Sequence, residues 1–230
     1  MPLDNAAAKA PRRRAPHREY HTADGAQVPS VTTVLAIIAK PALLRWNNQQ
    51  GLAGIDTTQG SSAATTGTIA HAMVEARLLG KRYVPGDEYT EAEIASGHEA
   101  LCSYIQWEQE HDVEPIHLEA ALVSERRRYG GTLDFYGRID GRLEVLDFKF
   151  ARGIYGEHLW QLAAYRTLAV ENSWGVRAVR VVRMNRELRP GSEPFSERIE
   201  TITLPFMRGF LAALKLYSIT QGLKEVSAET

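Results

Sequence analysis

The chain of 230 residues is poor in cysteine: Cys102 is the only one. A single thiol cannot build a disulfide framework, a CxxC zinc site or a four-cysteine iron–sulfur cluster. We therefore expect neither an iron–sulfur cluster nor zinc as a cofactor. A chain without a disulfide framework is typical of a reducing compartment, so we expect a cytoplasmic protein.

The sequence also lacks long apolar runs and a strong net charge. No stretch approaches the roughly 18–20 apolar residues that span a bilayer, and the N-terminus has no signal-peptide core, so no membrane partner is expected. The formal net charge is −1, which does not by itself indicate a nucleic-acid partner. Basic residues cluster at 12–14 and 126–128, where they could grip a phosphate backbone or remain a solvated charge run.

The length suits one domain with a substantial core. Residues 1–18, rich in Ala, Pro and Arg, are predicted to be a disordered tail, and residues 19–230 a single domain. Its part 19–112 is expected to be mainly helical, with a loop at 51–66. The expected helices are one capped by Ser30, one from Pro41 to Trp46, one from Gly67 to Leu79, and one from Thr90 to about His111.

From residue 113 the hydrophobic period changes to that of strands. Strands are expected at 116–125, 131–139, 142–150, 176–184 and 197–204, with helices at 157–172 and from Pro205 to about Gln221. This order predicts an α/β (α+β) fold in which helices flank a central mixed β-sheet, preceded by a helical N-terminal portion.

Asp140-Gly141 is the dipeptide favoured in a two-residue type I′ hairpin turn. With this loop Ile139 pairs with Arg142. Counting residue pairs outward from there along both strands sets Asp134 opposite Asp147. Like charges so placed repel unless a cation lies between them. Lys149 lies two residues beyond Asp147 and therefore shares its face. The opposite face is expected to be apolar, and it comprises Leu133, Phe135, Ile139, Leu146 and Phe148.

Other polar residues could join such a site, although each has an ordinary structural explanation. Oxygen ligands favour Mg²⁺ or Mn²⁺ over zinc. His71 and Glu75 lie one helical turn apart, and a neutral imidazole can bind Mn²⁺. Taken alone, His71 is more often structural than a ligand, and Glu75 a surface acid. Gln161 and Tyr165 also lie one turn apart, a pair that is uninformative in isolation.

Together these blocks resemble the PD-(D/E)XK nuclease superfamily, in its RecB-like and phage-type exonuclease branch. The match lies in the order and spacing of the blocks, and no single block is specific. It implies a restriction-endonuclease-like core. The matching blocks are Pro29–Leu35, Leu44–Trp46, Gly67–His71 with Glu75, Gly131–Asp134, Asp147–Lys149 and Gln161–Tyr165.

The resemblance implies roles for individual residues. Asp134, Asp147 and Lys149 match the acids and lysine of the catalytic strands, and His71 matches a helical metal ligand. The Phe148 carbonyl and Glu119 are implied as further ligands, with Glu125 a weaker substitute for Glu119. Gln161 and Tyr165 match a catalytic motif that braces the site and approaches DNA. Ser30 and Arg126, Arg127 and Arg128 are candidate DNA contacts. Phe150 departs from the pattern, since similar sequences often carry Thr or Ser there.

The resemblance implies a DNA exonuclease that uses one or two Mg²⁺ or Mn²⁺ ions and acts on linear DNA with free ends. It points to recombination, repair or replication in a phage or its prokaryotic host, with a homo-oligomer or a recombination protein as further partners. Two alternatives stay open at this point. One is a structure- or site-specific endonuclease on the same core, and the other is a catalytically silent DNA-binding accessory subunit.

Overall fold

The computed structural model of the protein describes residues 18–38 and 62–228, without the side chains of 62–64 and 223–228. The predicted tail, apart from Arg18, and the predicted helix from Pro41 to Trp46 lie outside the described residues. One expectation for the N-terminal part is wrong: residues 62–66 are helical, although their Ser, Thr and Ala content suggested a loop. Thr66 is buried, and such packing overrides weak local propensity.

The N-terminal elements form a small hairpin followed by a short helix. Strands β1 and β2 turn at Gly25, which has a φ of +82°. Ser30 caps α1 as predicted, because its side chain accepts a hydrogen bond from the Thr33 N–H at 3.0 Å. The bounds are Tyr20–His21 for β1, Gln27–Val28 for β2 and Val31–Leu35 for α1.

Two longer helices follow and pack against each other. They are α2, Ser62–Leu78, and α3, Glu91–Gln109. Helix α3 begins with the predicted capping box: Thr90 accepts the Glu93 N–H, and the Glu93 carboxylate accepts the Thr90 N–H at 2.9 Å. This reciprocal pair satisfies two otherwise unpaired N–H groups and fixes the start of the helix.

The rest of the chain forms one sheet with the order β3-β4-β5-β6-β7. All neighbouring strands are antiparallel except β5 and β6, which are parallel and joined through helix α4. The predicted mixed sheet flanked by helices is therefore confirmed. The bounds are Val113–Ser124 for β3, Tyr129–Ile139 for β4, Arg142–Lys149 for β5, Gly156–Glu171 for α4, Ala178–Met184 for β6, Phe195–Glu200 for β7 and Leu204–Ala228 for α5. The last strand thus ends four residues earlier than expected.

Helices cover both faces of the sheet. Helices α1, α4 and α5 pack on one face, and α2 and α3 pack on the other. Phe135, Ile139, Leu146 and Phe148 lie under α2 and α3 as one apolar face, as predicted, but Leu133 packs on the α4 side. Regular alternation does not continue through Asp134, because its pairing in the ladder is interrupted. No helix in the described ranges is long and apolar enough to cross a membrane.

Gly137 lies where β4 passes closest to β3. A Cβ atom added there would come within 2.2 Å of the Glu114 carbonyl oxygen, a backbone atom that cannot rotate away. We expect Gly137→Ala to lower the free energy of unfolding by about 1–3 kcal/mol. Chemical denaturation would measure it. The control is Gly67→Ala in α2, where a Cβ meets nothing within 4 Å and should stabilise the protein by about 0.5–1 kcal/mol. Equal effects of the two substitutions would contradict the close packing.

Candidate active site

The sheet divides at the two aspartates singled out by the hairpin. Strands β4 and β5 pair from Ile139–Arg142, as predicted, to Phe135–Leu146. Beyond that pair β4 continues alongside β3 and β5 continues alongside β6. Asp134 and Asp147 therefore lie at the mouth of a fork and not in the ladder itself. The Phe148 N–H, free of the ladder there, donates to Asp134 Oδ2 at 3.0 Å.

Three potential metal ligands meet at this fork. Ligand atoms of His71 on α2, Glu119 on β3 and Asp134 on β4 all lie within 4.8 Å of one another. His71 Nδ1 is 3.7 Å from Asp134 Oδ2. Glu119 has a φ of +48°, a conformation that side chains rarely adopt, and it leaves the β3–β4 ladder opposite Asp134. The chain thus accepts local strain where it brings Glu119 to the other two residues.

The ionisation of the three groups reflects crowding and poor solvation. Burial raises the pKa of Asp134, and Lys149 and the Phe148 N–H oppose this rise. Desolvation, with the charges of Asp134 and Glu75, raises the pKa of Glu119 to about 8. Glu119 is exposed as a residue, so water screens part of this effect. Desolvation and Lys149 lower the pKa of His71 to about 4, which keeps its imidazole neutral, the form that binds a metal.

The donor set fits a hard divalent cation. Carboxylates with one imidazole suit Mg²⁺ or Mn²⁺, and a cation would offset the poor solvation that raises the pKa of Asp134 and Glu119 and the repulsion that adds to it at Glu119. Glu75 adds a further negative charge near these acids. Burial and the charge of Asp134 raise its pKa, while Lys81 lowers it. His71, Glu119 and Asp134 could hold such an ion. Metal ligation by these three residues stays a prediction, as does ligation by Asp147 and by the Phe148 carbonyl.

Asp147 lies beside this group and is fully buried. Its Oδ2 is 2.6 Å from Lys149 Nζ, but it has no hydrogen bond of acceptable geometry to the described residues. Its Oδ1 accepts a hydrogen bond from Gln161 Nε2 at 3.0 Å, and the same nitrogen lies 2.9 Å from the Tyr165 hydroxyl. Burial raises the pKa of Asp147, opposed chiefly by Lys149. The predicted set Asp147, Lys149, Gln161 and Tyr165 is thus one contiguous network.

Aromatic rings hold His71 in place. Phe150, where the motif departs from similar sequences, packs edge-on against the imidazole with ring centroids 4.8 Å apart. The Phe148 ring is 6.4 Å away in a similar orientation, and the backbone of Phe148 hydrogen bonds to His71. Phe150 therefore contributes to the site by packing, where a Thr or Ser would offer a hydroxyl.

Sequence reasoning missed two features of the site: the position of His158 and the role of Gly131. His158 lines a cavity of about 270 Å³ together with Lys149, Gln161 and Thr32 of α1. The i, i+3 spacing of His158 and Gln161, which puts both on one helix face, was a signal for the first feature. For the second, a Cβ at Gly131 would come within 2.7 Å of the Tyr165 ring. Glycine at this position therefore leaves room for Tyr165.

The predicted DNA contacts lie farther away or are engaged in other interactions. Arg128 is six residues from Asp134 along the chain, roughly 20 Å at the rise of a strand. Arg127 forms an ion pair with Glu171, and Arg128 forms one with Asp24 at 2.8 Å. The Ser30 hydroxyl caps α1. Roles in DNA binding for Ser30 and for Arg126, Arg127 and Arg128 stay predictions.

Glu119 and Glu125 differ clearly as candidate ligands. The Glu125 carboxylate accepts the Ala23 N–H at 3.0 Å and belongs to the β1–β2 hairpin, while Glu119 belongs to the ligand group. We expect Glu119→Gln to weaken Mn²⁺ binding by about tenfold or more, because one charged ligand is lost. Calorimetric titration would measure this. Glu125→Gln serves as the matched control and should leave the affinity unchanged; the reverse result would reassign the ligand.

Among known proteins, solved structures of low sequence identity are similar to this chain. No protein-family description matches the chain, and no curated protein matches it. A solved structure from Eubacterium rectale, provisionally described as an exonuclease, is similar with 13% identity, a TM-score of 0.46, and coverage of 79% of this chain and 73% of that one.

Two further structures show an alkaline exonuclease from Laribacter hongkongensis. The first has 12% identity, a TM-score of 0.37, and coverage of 70% of this chain and 84% of that one. The second, in complex with dAMP, has 11% identity, a TM-score of 0.39, and coverage of 73% and 91%. These neighbours are exonucleases by description.

Proposed function

We propose that the protein is a DNA exonuclease that depends on Mg²⁺ or Mn²⁺. One observation carries the proposal: the fork between β4 and β5 assembles His71, Glu119 and Asp134 within ligand distance. Beside them lies Lys149, paired with Asp147. Acidic ligands next to a lysine suit hydrolysis of a phosphodiester, whose transition state carries additional negative charge.

The residues divide the chemistry between them. A bound divalent cation would supply Lewis-acid polarisation of the phosphate and increase the acidity of water. Lys149, whose side chain is 20% exposed, would orient the attacking water and offset negative charge on the phosphate oxygens. Gln161 fixes the Asp147 carboxylate, which in turn holds Lys149. The Phe148 N–H fixes Asp134 from the opposite strand. None of these roles requires a covalent intermediate.

The exonuclease mode rests on the motif order, and a digestion experiment tests it. End-labelled single- and double-stranded linear DNA and a covalently closed circle are incubated with Mg²⁺ or Mn²⁺. Shortening of the linear substrates with sparing of the circle is expected. Cleavage of the circle would support the endonuclease alternative. No cleavage of any substrate, with no calorimetric Mn²⁺ binding, would support the accessory-subunit alternative.

A further inference from the structure

A second polar cavity lies away from the fork, between the outer side of α4 and the start of α5. It has a volume of about 370 Å³. Its lining includes two arginines and three threonines: Arg127, Arg166, Thr167, Thr201 and Thr203. No carboxylate lies among the described residues that line it. A cavity lined by cationic and neutral hydrogen-bond donors favours an anion.

Arg166 of α4 is one of the two arginines that line this cavity. Its Nε is buried and has no hydrogen-bond partner among the described residues, while its Nη1 lies 3.5 Å from the Thr203 hydroxyl, the long limit of a hydrogen bond. The covered Nε cannot be reached from the cavity, so a ligand there would have to bind the Nη groups at the end of the side chain. A planar guanidinium can bind a phosphate through parallel hydrogen bonds.

Arg127 is the second arginine that lines the cavity. Its Nη1 contacts Glu171, and its backbone N–H donates to the Ser124 hydroxyl at 2.9 Å. Arg127 belongs to the arginine cluster 126–128, and it lines this cavity and not the fork. A guanidinium has five N–H donors, so the ion pair with Glu171 leaves others for a ligand. Met207 and Leu204 add apolar lining that a sugar or base could cover.

We propose that this cavity binds the phosphate group of a nucleotide. The choice of a nucleotide among phosphate-bearing ligands rests on the proposed nuclease function. Two sources share this chemistry: a backbone phosphate of bound DNA outside the cleavage site, and a mononucleotide released by hydrolysis. Arg166 follows Tyr165 in α4, and successive side chains turn by about 100°, so one residue belongs to the buried network while the next lines the outer cavity.

Calorimetry in the presence of EDTA tests the site without DNA cleavage. The probes are inorganic phosphate, a deoxynucleoside 5′-monophosphate and a short DNA duplex. We expect Arg166→Gln to weaken binding of the mononucleotide, the duplex or both by at least about tenfold. Loss for the mononucleotide alone identifies a product site, and loss for the duplex identifies a backbone contact. The matched control is Arg177→Gln, an exposed arginine before β6, which should bind like the unaltered protein.

Two results would overturn the proposal: equal binding by Arg166→Gln and the unaltered protein, or no binding of any probe by the unaltered protein. Thr201→Val at the exposed rim is a milder second variant if Arg166→Gln misfolds, and a loss of about threefold is expected. Lys149→Met separates the two proposals, because it should retain the binding that depends on Arg166. If the protein binds the probes through Arg166 but has no nuclease activity, the cavity proposal stands and the proposed function is rejected. If it has nuclease activity but Arg166→Gln has no effect on binding, the proposed function stands and the cavity proposal is rejected.

Discussion

Replacing Asp147 by asparagine is expected to reduce Mg²⁺-dependent DNA hydrolysis by about 1,000-fold or more. The carboxylate is fully buried and lies between Lys149 and Gln161. Asparagine has nearly the same shape, and its amide oxygen can still accept the hydrogen bond from Gln161. The variant should therefore fold while losing the negative charge that holds Lys149 in position. Initial rates on end-labelled linear DNA measure the loss, and circular dichroism checks the fold.

Asp140→Asn is the matched control from the same hairpin. The Asp140 carboxylate accepts the Asp112 N–H at 2.9 Å and contacts His111, at the end of the hairpin remote from the fork. Asparagine is tolerated at its φ of +51°. Its nuclease activity should match that of the unaltered protein. A folded Asp147→Asn variant with full activity would reject the site assignment.

Replacing Lys149 by methionine is expected to lower the hydrolysis rate by about 100–1,000-fold, because the ammonium can no longer stabilise the transition state. The proposed metal ligands His71, Glu119 and Asp134 remain, and the positive charge that would oppose a bound cation is gone. Mn²⁺ affinity should therefore stay the same or rise while turnover falls. This combination distinguishes a catalytic lysine from a residue that only maintains the structure.

The matched control is the same substitution at a lysine away from the site. Lys215→Met on the exposed side of α5 fulfils this role and should change neither rate nor affinity. Lys149→Arg retains the charge and should recover part of the activity. If Lys149→Met lost Mn²⁺ binding together with activity, the lysine would be needed to organise the ligand group, and the catalytic role proposed for it would fail.

Several features were predictable because they depend on local sequence. The Asp140-Gly141 turn fixed the register of β4 and β5 to Ile139–Arg142, and the Thr90 capping box fixed the start of α3. Spacing also placed Gln161 and Tyr165 on one face of α4, where they form a network with Asp147. Such features follow from turn geometry and helical periodicity, which act over a few residues.

Other features required contacts between distant segments. Counting residue pairs outward from the turn predicted that Asp134 and Asp147 pair directly across β4 and β5. At that point β4 pairs only with β3 and β5 only with β6, so the two strands separate into a fork. Glu119 reaches the ligand group through a positive φ that no local pattern announces. The partners of the arginine cluster also come from distant segments, since Arg127 pairs with Glu171 and Arg128 with Asp24.

The sequence alone determined which residues could bind a cation and which strands would carry them, since turn type, side-chain alternation and acidity are written in short segments. Only the tertiary structure decided that His71 and Glu119 join Asp134 while Asp147 pairs with Lys149. It also decided that Arg127 and Arg166 share a cavity away from the fork. The reason is physical: these groups lie on different elements, and their distances depend on how helices pack on both faces of a sheet that divides.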